Sequence, residues 1–216
     1  MRSMKTAAWV LLGLAGLLGA GNWLAVATDR KHVEYVCKPG ALAALVAVAL
    51  TLDPTHGDVR AWFVAALVLS LAGDVFLMLP SDRFVAGLTA FLLAHVAYVV
   101  GLTRHGGSAS ALLLAAIPVL IVTGALGARF LRAARAAGHG EMVGPVVAYM
   151  AVIAAMVTCA LASGVVLAGV GAVLFMTSDA LIAETRFVGP RRWAPLAIMV
   201  TYHLGQAGLT LSLVHG

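Results

Sequence analysis

Long apolar runs follow one another along almost the whole chain, and they constrain its fold more than any single motif does. Of the 216 residues, 62% are hydrophobic and only 11% are charged, and the mean hydropathy is +1.01. Soluble domains are about half apolar and carry about 25% charged residues. Each crossing of a bilayer by a helix needs about 20 apolar residues. Because the runs are continuous rather than alternating, we expect a polytopic bundle of transmembrane helices and not a barrel.

The breaks between the runs predict eight helices with short loops, in one all-α transmembrane domain over residues 1–216. Helix 2 is the shortest, because we place its start at Pro39, a residue suited to the first turn of a helix. Helix 1 follows basic residues and also resembles a signal peptide, but its run is long enough to span, and we expect it to be retained. The predicted helices cover residues 7–27, 39–52, 61–79, 84–103, 109–130, 143–162, 165–184 and 194–214.

The distribution of Lys and Arg predicts the orientation in the membrane, since cytoplasmic loops carry the excess of basic residues. Ten of the 14 basic residues lie in the loops after helices 1, 3, 5 and 7, and four lie at the other end of the bundle. We therefore expect the first set of loops in the cytoplasm and both termini outside, in a bacterial inner membrane. The net charge of +5 arises in these short loops, so it does not indicate nucleic-acid binding.

Two aspartates interrupt the apolar runs, Asp74 in the third predicted helix and Asp179 in the seventh. A charge at membrane depth costs about 2.5–3.5 kcal/mol on insertion scales, so each carboxyl group needs a partner or a function. In the predicted topology both lie in the cytoplasmic half, at the depth of Lys38. If the two carboxyl groups share one pocket they cannot both ionise easily, and they would form an acid and a base at neutral pH.

Further polar side chains lie on the helices that follow each aspartate. In helix 8, Tyr202 stands four residues before Gln206. Such residues either bond neighbouring helices together, as polar groups in membrane helices often do, or form the wall of a polar pocket. One face of helix 4 is half aromatic and half polar and consists of Phe84, Gly87, Phe91, His95 and Tyr98.

The two halves of the chain also resemble each other weakly. Asp74 is followed by the segment Arg83-Phe84-Val85, and Asp179 is followed by Arg186-Phe187-Val188. Helices 3 and 7 have the same predicted direction. These features favour a parallel repeat of helices 1–4 and 5–8.

The sequence lacks the motifs that several other functions require. Leu71 stands three residues before Asp74, where the GxGD motif of intramembrane aspartyl proteases has glycine. The chain contains no G-x-S-x-G elbow, P-loop or dinucleotide fingerprint. His95, His203 and the two aspartates lack the spacing of metal ligands, so we predict no metal and no cofactor. Cys37 and Cys159 are expected to be unpaired packing residues.

The ordered set of polar residues resembles the YhhN-like lysoplasmalogenase family of small eight-helix membrane proteins. The resemblance extends over nearly the whole chain. It implies a hydrolase that cleaves the vinyl-ether bond of lysoplasmalogens to a fatty aldehyde and a glycerophospho-alcohol. It rests on Lys38-Pro39, Gly73-Asp74, the aromatic and polar face of helix 4, Tyr149, the motif Gly171-x-x-x-Phe175-x-x-Ser178-Asp179, and Tyr202 with Gln206.

This chemistry suits the residues, because a vinyl ether hydrolyses by proton transfer to carbon through an oxocarbenium ion. We expect Asp74 and Asp179 to be the catalytic acid and carboxylate, without assigning which is which. Lys38 is expected to face the headgroup phosphate of a lysophospholipid, within a site that also contacts membrane lipid. The other expected substrate-binding residues are His95, Tyr98, Tyr149, Ser178, Tyr202 and Gln206.

A second class of function stays open at this point. In a transporter or a lipid-binding membrane protein, Asp74 and Asp179 would serve as proton or cation sites without any turnover of substrate. The two hypotheses differ in one observable property, the release of aldehyde from a lysoplasmalogen.

Overall fold

The computed structural model describes residues 4–53, 57–81, 83–104 and 106–214, and within them it contains eight α-helices and no strand. The prediction of an all-α bundle of about eight helices is therefore confirmed. Seven helices in this part of the chain are long and apolar enough to cross a membrane, so the chain is an integral membrane protein. The helices are α1 (Thr6–Ala27), α2 (Lys31–Thr51), α3 (Gly57–Met78), α4 (Phe84–Thr103), α5 (Ala109–Ala136), α6 (Val143–Ala162), α7 (Val166–Ala183) and α8 (Ala194–Ser212), with a 3₁₀ turn at Gly140–Met142 and a π-helical turn at Glu184–Val188.

The helix outside that set of seven is α8, which is too polar along its length to qualify. Its polar side chains at Tyr202, His203, Gln206 and Thr210 are buried inside the bundle. Ionisable and strongly polar groups in membrane proteins usually face the bundle interior. α8 therefore belongs to the bundle because it places these polar side chains at the centre.

Six helices form a closed ring in the order α2, α3, α4, α6, α7, α8. α1 packs outside the ring against α2 and α8, and α5 packs outside it against α6 and the π-helical turn. In each half the first helix packs on the second, the second on the third and the third on the fourth. The fourth helix of each half also packs on the second helix of the other half. This is the contact scheme that two related halves would produce, and the repeat itself stays a prediction.

The predicted start of helix 2 at Pro39 is wrong, because α2 begins at Lys31 and contains Pro39 in its interior. The amides of Val33 and Glu34 donate to the carbonyl of Arg30, which starts the helix ahead of the apolar run. Prolines inside helices are tolerated in membrane proteins, where neighbouring groups satisfy the freed backbone. Lys38 consequently lies within the helix and is buried, not at its exposed start.

The predicted end of helix 5 at residue 130 is also wrong. α5 continues to Ala136 and ends before Gly138, whose φ of +81° suits a residue without a side chain. The extension is stabilised by burial of Phe130 and Ala134, which are four residues apart and pack with Val146 and Phe187. The segment after α7, expected to be loop from Arg186, forms the π-helical turn instead.

α7 and α8 approach each other closely where glycines face the partner helix. A Cβ on Gly171 would lie 2.6 Å from the backbone nitrogen of Leu209, and a Cβ on Gly205 would lie 2.8 Å from the backbone nitrogen of Phe175. Small residues allow this kind of backbone contact in membrane helices. Further along α7, the hydroxyl of Ser178 donates to the carbonyl of Ile198 at 3.2 Å, so the same interface positions the neighbouring Asp179.

We expect Gly171→Ala to destabilise the protein by about 1–3 kcal/mol, because the added methyl group forces α7 and α8 apart. Gly16→Ala is the matched control, since open space surrounds that position. Thermal unfolding of the two purified variants in detergent measures the difference, and equal unfolding temperatures would contradict this packing.

Candidate active site

Asp74 lies in a buried cluster built from α2, α3 and α8. Its Oδ1 is 3.1 Å from Nζ of Lys38, and its Oδ2 accepts a 2.7 Å hydrogen bond from the hydroxyl of Tyr202. The side chains of Lys38 and Asp74 are only 6% and 2% exposed. An ammonium group beside a carboxyl group favours its ionised form, and removing one partner of such a pair leaves an uncompensated buried charge.

Asp179 lies in a second cluster, built from α4, α6 and α7. Its Oδ2 accepts a 2.6 Å hydrogen bond from the hydroxyl of Tyr149 and is 3.4 Å from Nε2 of His95. Nδ1 of His95 is 2.6 Å from the carbonyl oxygen of Phe91. A carbonyl oxygen only accepts, so Nδ1 carries the proton, and Nε2 of a neutral ring presents a lone pair. Nε2 makes no hydrogen bond within normal geometry, although it faces Asp179.

Aromatic rings separate the two carboxyl groups, and no hydrogen bond joins Asp74 to Asp179. The ring of Tyr202 packs on Phe175 with 5.4 Å between centroids, and Phe175 packs on His95 with 4.6 Å between centroids. The arrangement is thus two adjoining clusters with separate partners, and not a pair that shares one proton.

The other expected site residues join helices near these clusters. The hydroxyl of Tyr98 on α4 donates to Oε1 of Gln206 on α8 at 2.6 Å, and both side chains are buried. Ser178 bonds to the backbone of α8, as described above. In the described part of the chain, no group of three His, Cys, Asp or Glu side chains is arranged to hold a metal ion.

An apolar cavity opens beside Asp179. Ligand sites commonly have mostly apolar walls and a few polar groups. Here the polar groups are the Asp179 carboxyl and the Tyr149 hydroxyl. The cavity is lined by Leu77, Phe84, Leu88, Phe91, Leu126, Val146, Tyr149, Met150, Ile153, Met176, Asp179, Ala180, Ile182, Ala183 and Phe187.

A second, open cavity lies at the end of the bundle where the loops after α1, α3 and α7 meet. We call it the basic depression, because four cationic side chains line it, with a single acidic one among the described lining residues. Pro190 and Pro195 also line it. Its charged lining residues are Lys31, Glu34, Lys38, Arg186 and Arg191.

The two cavities share one wall, formed by Leu77, Phe84 and Ile182, which line both of them. Leu77 and Ile182 lie three residues after Asp74 and Asp179, so each stands one helical turn from an aspartate. The guanidinium of Arg186 stacks over the ring of Phe84 at 4.6 Å. An elongated molecule with an anionic head and an apolar tail that occupied both cavities would therefore pass this wall beside Asp179. Asp74 stands one helical turn from Leu77 but is not among the described lining residues of either cavity.

The wall and most of the basic depression were not predicted from the sequence. Leu77 and Ile182 could have been found from their helical spacing to the aspartates. Arg186 and Arg191 lie in a predicted loop, and a sequence does not reveal that a loop arginine turns into a cavity. Glu34 also falls in a predicted loop, between helices 1 and 2.

Comparisons with known proteins identify the family. A family model described as the YhhN family matches residues 33–213. The chain belongs to the YhhN family. The match includes both aspartates and every residue of the two clusters, so the resemblance noted in the sequence is confirmed.

Several relatives of this YhhN-family protein carry one name. A protein of Mycobacterium tuberculosis named "Lysoplasmalogenase" is 29% identical over 96% of this chain and 84% of its own length. The human "Lysoplasmalogenase TMEM86B" is 37% identical over 68% of this chain and 61% of its own length. The rat protein of that name is 31% identical over 82% of this chain and 70% of its own length. No solved structure shows a significant match.

We expect Lys38→Met to destabilise the protein by about 3–5 kcal/mol, because it leaves the Asp74 carboxylate buried without a counter-charge. The double variant Lys38→Met with Asp74→Asn should recover most of that loss, since no charge then remains. Thermal unfolding of the wild type, both single variants and the double variant closes the cycle. Additive losses would mean that the two side chains are not coupled.

Proposed function

We propose that this YhhN-family protein is a membrane-embedded hydrolase that cleaves the vinyl-ether bond of lysoplasmalogen-type lysophospholipids. The products would be a fatty aldehyde and a glycerophospho-alcohol. The names of the mycobacterial, human and rat relatives support this activity. The observation that carries the proposal is the meeting of an apolar cavity and a basic depression at a wall beside both aspartates.

A lysoplasmalogen has an apolar chain and a charged headgroup, which correspond to the apolar cavity and the basic depression. Its single alkenyl chain would occupy the apolar cavity, and its phosphate would lie in the basic depression, where Lys38 and two arginines offer positive charge. The vinyl ether joins the chain to the glycerol, so it would cross the wall formed by Leu77, Phe84 and Ile182. Asp179 lines the apolar cavity and is the carboxyl group with direct access to that bond.

Asp179 is the proton donor in this proposal. A proton on its carboxyl group turns the contact with Nε2 of His95 into a favourable one, because the imidazole lone pair then faces a donor rather than a second acceptor. Transfer of this proton to the vinyl carbon that is not bonded to the ether oxygen generates an oxocarbenium ion and an Asp179 carboxylate. Water then adds to the cation and returns a proton to Asp179, and the hemiacetal collapses to aldehyde and alcohol.

Asp74 serves as the fixed carboxylate. Its charge, held by Lys38 and Tyr202, stabilises the oxocarbenium ion from the adjoining cluster, in a site of low polarity. A positioned acid or base contributes about 10²–10⁴-fold to a rate, and exclusion of bulk water adds to it. Tyr149 and His95 orient the Asp179 carboxyl, while Tyr98, Ser178 and Gln206 support the helices that carry both clusters. We further propose that the basic depression faces the cytoplasm of a bacterial inner membrane.

We expect Asp179→Asn to lower kcat by about 10²–10⁴-fold, because an amide cannot deliver the proton. Asp74→Asn should also lower kcat, through loss of the charge that stabilises the cation. The measurement is aldehyde release from lysoplasmenyl-ethanolamine by purified protein in detergent. Asp58→Asn is the matched control, since Asp58 pairs with Arg104 on the exposed surface.

Two outcomes of that assay decide against the proposal. Wild-type protein that releases no aldehyde but moves a solute into liposomes would be the transporter considered above. Unchanged turnover by both aspartate variants would show that the protein is a hydrolase in which neither aspartate takes part in catalysis.

The apolar cavity can be tested by reducing its length. Ala180→Leu adds bulk to its lining, so kcat/KM for a long alkenyl chain should fall about tenfold relative to that for a short chain. Ala43→Leu on the exposed surface of α2 is the control, because it adds the same side chain towards lipid. An equal effect of Ala180→Leu on both chain lengths would place the chain elsewhere.

A further inference from the structure

The basic depression contains charges of both signs in a definite order. Lys31, Glu34 and Lys38 lie on one face of α2, at positions i, i+3 and i+7, and run from the exposed rim towards the buried Asp74. Arg186 and Arg191 line the same depression from the turns after α7. Among the described residues that line it, Glu34 is the one acidic side chain.

The arginine side of the depression is adjacent to the wall and suits a phosphate. Arg186 stacks on the wall residue Phe84 at 4.6 Å. Arg191 donates from one nitrogen to Oε1 of Glu184 at 3.0 Å, a contact that engages only part of its planar fork. Guanidinium groups bind phosphate oxygens through several directed N–H bonds. The phosphate of a bound lipid would therefore lie close to the wall, with Lys38 beneath it.

The Glu34 side of the depression suits an ammonium group. Glu34 Oε2 is 2.9 Å from Nζ of Lys31, so an ammonium already fits against this carboxylate. The Lys31 side chain is 65% exposed and that of Glu34 only 15% exposed. The Lys31 end of this pair is open to solvent. A ligand ammonium can therefore take the place of the Lys31 ammonium on Glu34, while Lys31 turns to solvent.

We propose that Glu34 is a specificity-determining residue that binds a positively charged group on the lipid headgroup, while Lys38, Arg186 and Arg191 bind the phosphate. The site then prefers zwitterionic lysophospholipids to those whose headgroup carries a phosphate alone or a neutral extension. This inference rests on the proposed function for the placement of the chain and phosphate. It adds a residue from the first turn of α2 that acts on headgroup choice and not on the vinyl-ether chemistry.

The test compares two probes whose headgroups differ in charge and by one acetyl group. The first is the saturated alkyl-ether analogue of lysoplasmenyl-ethanolamine, which has no vinyl ether to hydrolyse, and the second is the same lipid with its amine acetylated. Wild-type protein should bind the first more tightly. In Glu34→Gln, the ratio of the two dissociation constants should fall about fivefold. Glu34→Asp should keep the preference, because it retains the charge.

Glu141→Gln is the matched control. Glu141 is exposed on the 3₁₀ turn at the same end of the bundle and does not line the basic depression, so this variant should keep the wild-type ratio. A ratio is independent of the fraction of protein that is correctly folded, which protects the comparison from variants of lower yield.

Binding and turnover separate the two proposals. An unchanged binding ratio in Glu34→Gln overturns the role of Glu34, even if lysoplasmenyl-ethanolamine is hydrolysed normally. Loss of the preference in that variant supports the role of Glu34, even if no aldehyde is released from any substrate. In the second case it is the proposed hydrolysis that fails.

Discussion

The buried ion pair between Lys38 and Asp74 lies where three helices of the bundle meet. It joins α2 to α3, and the hydroxyl of Tyr202 attaches α8 to the same carboxylate. Taking two charges out of water costs several kcal/mol per ion, and an apolar pair of similar size often stabilises a protein better. The pair is therefore poorly explained by stability alone. The pair provides a fixed carboxylate at the centre of the bundle. Its counter-ion, Lys38, lies at the floor of the basic depression.

The second cluster repeats this arrangement with different chemistry. Each aspartate lies on the third helix of its half and takes one partner from the second helix of that half and one from the fourth helix of the other half. For Asp74 these partners are Lys38 and Tyr202, and for Asp179 they are Tyr149 and His95. An ammonium favours an ionised carboxyl group, whereas a neutral imidazole and a phenol do not supply a charge. Two similar scaffolds thereby give their carboxyl groups different surroundings.

The π-helical turn after α7 connects the clusters to the two cavities. Glu184 accepts two hydrogen bonds from Arg129 on α5, at 2.9 and 2.7 Å, and a third from Arg191 at 3.0 Å. The residues that follow then diverge, with Arg186 lining the basic depression and Phe187 lining the apolar cavity. π-helical turns occur frequently at functional sites. Here the turn places a cation and an aromatic ring on opposite sides of the same wall.

The sequence by itself determined the membrane class, the number of helices and the residues worth attention. These follow from local properties, namely the length of each apolar run and the high cost of a carboxylate at membrane depth. Helix ends do not follow from the apolar runs alone. α2 and α5 both extend past their predicted bounds, because polar residues at a membrane surface can continue a helix. The sequence therefore placed Lys38 at a rim when it is in fact buried.

Only the tertiary structure decided which polar residues meet. Partners such as Asp74 and Tyr202 are 128 positions apart, and no local pattern specifies which helix faces which across the bundle. The ring of helices places aromatic side chains between the two aspartates, so each carboxyl group has its own cluster of partners. It also turned loop arginines and the first turn of α2 into the lining of one depression, because cavities form from the ends of helices that are distant in sequence.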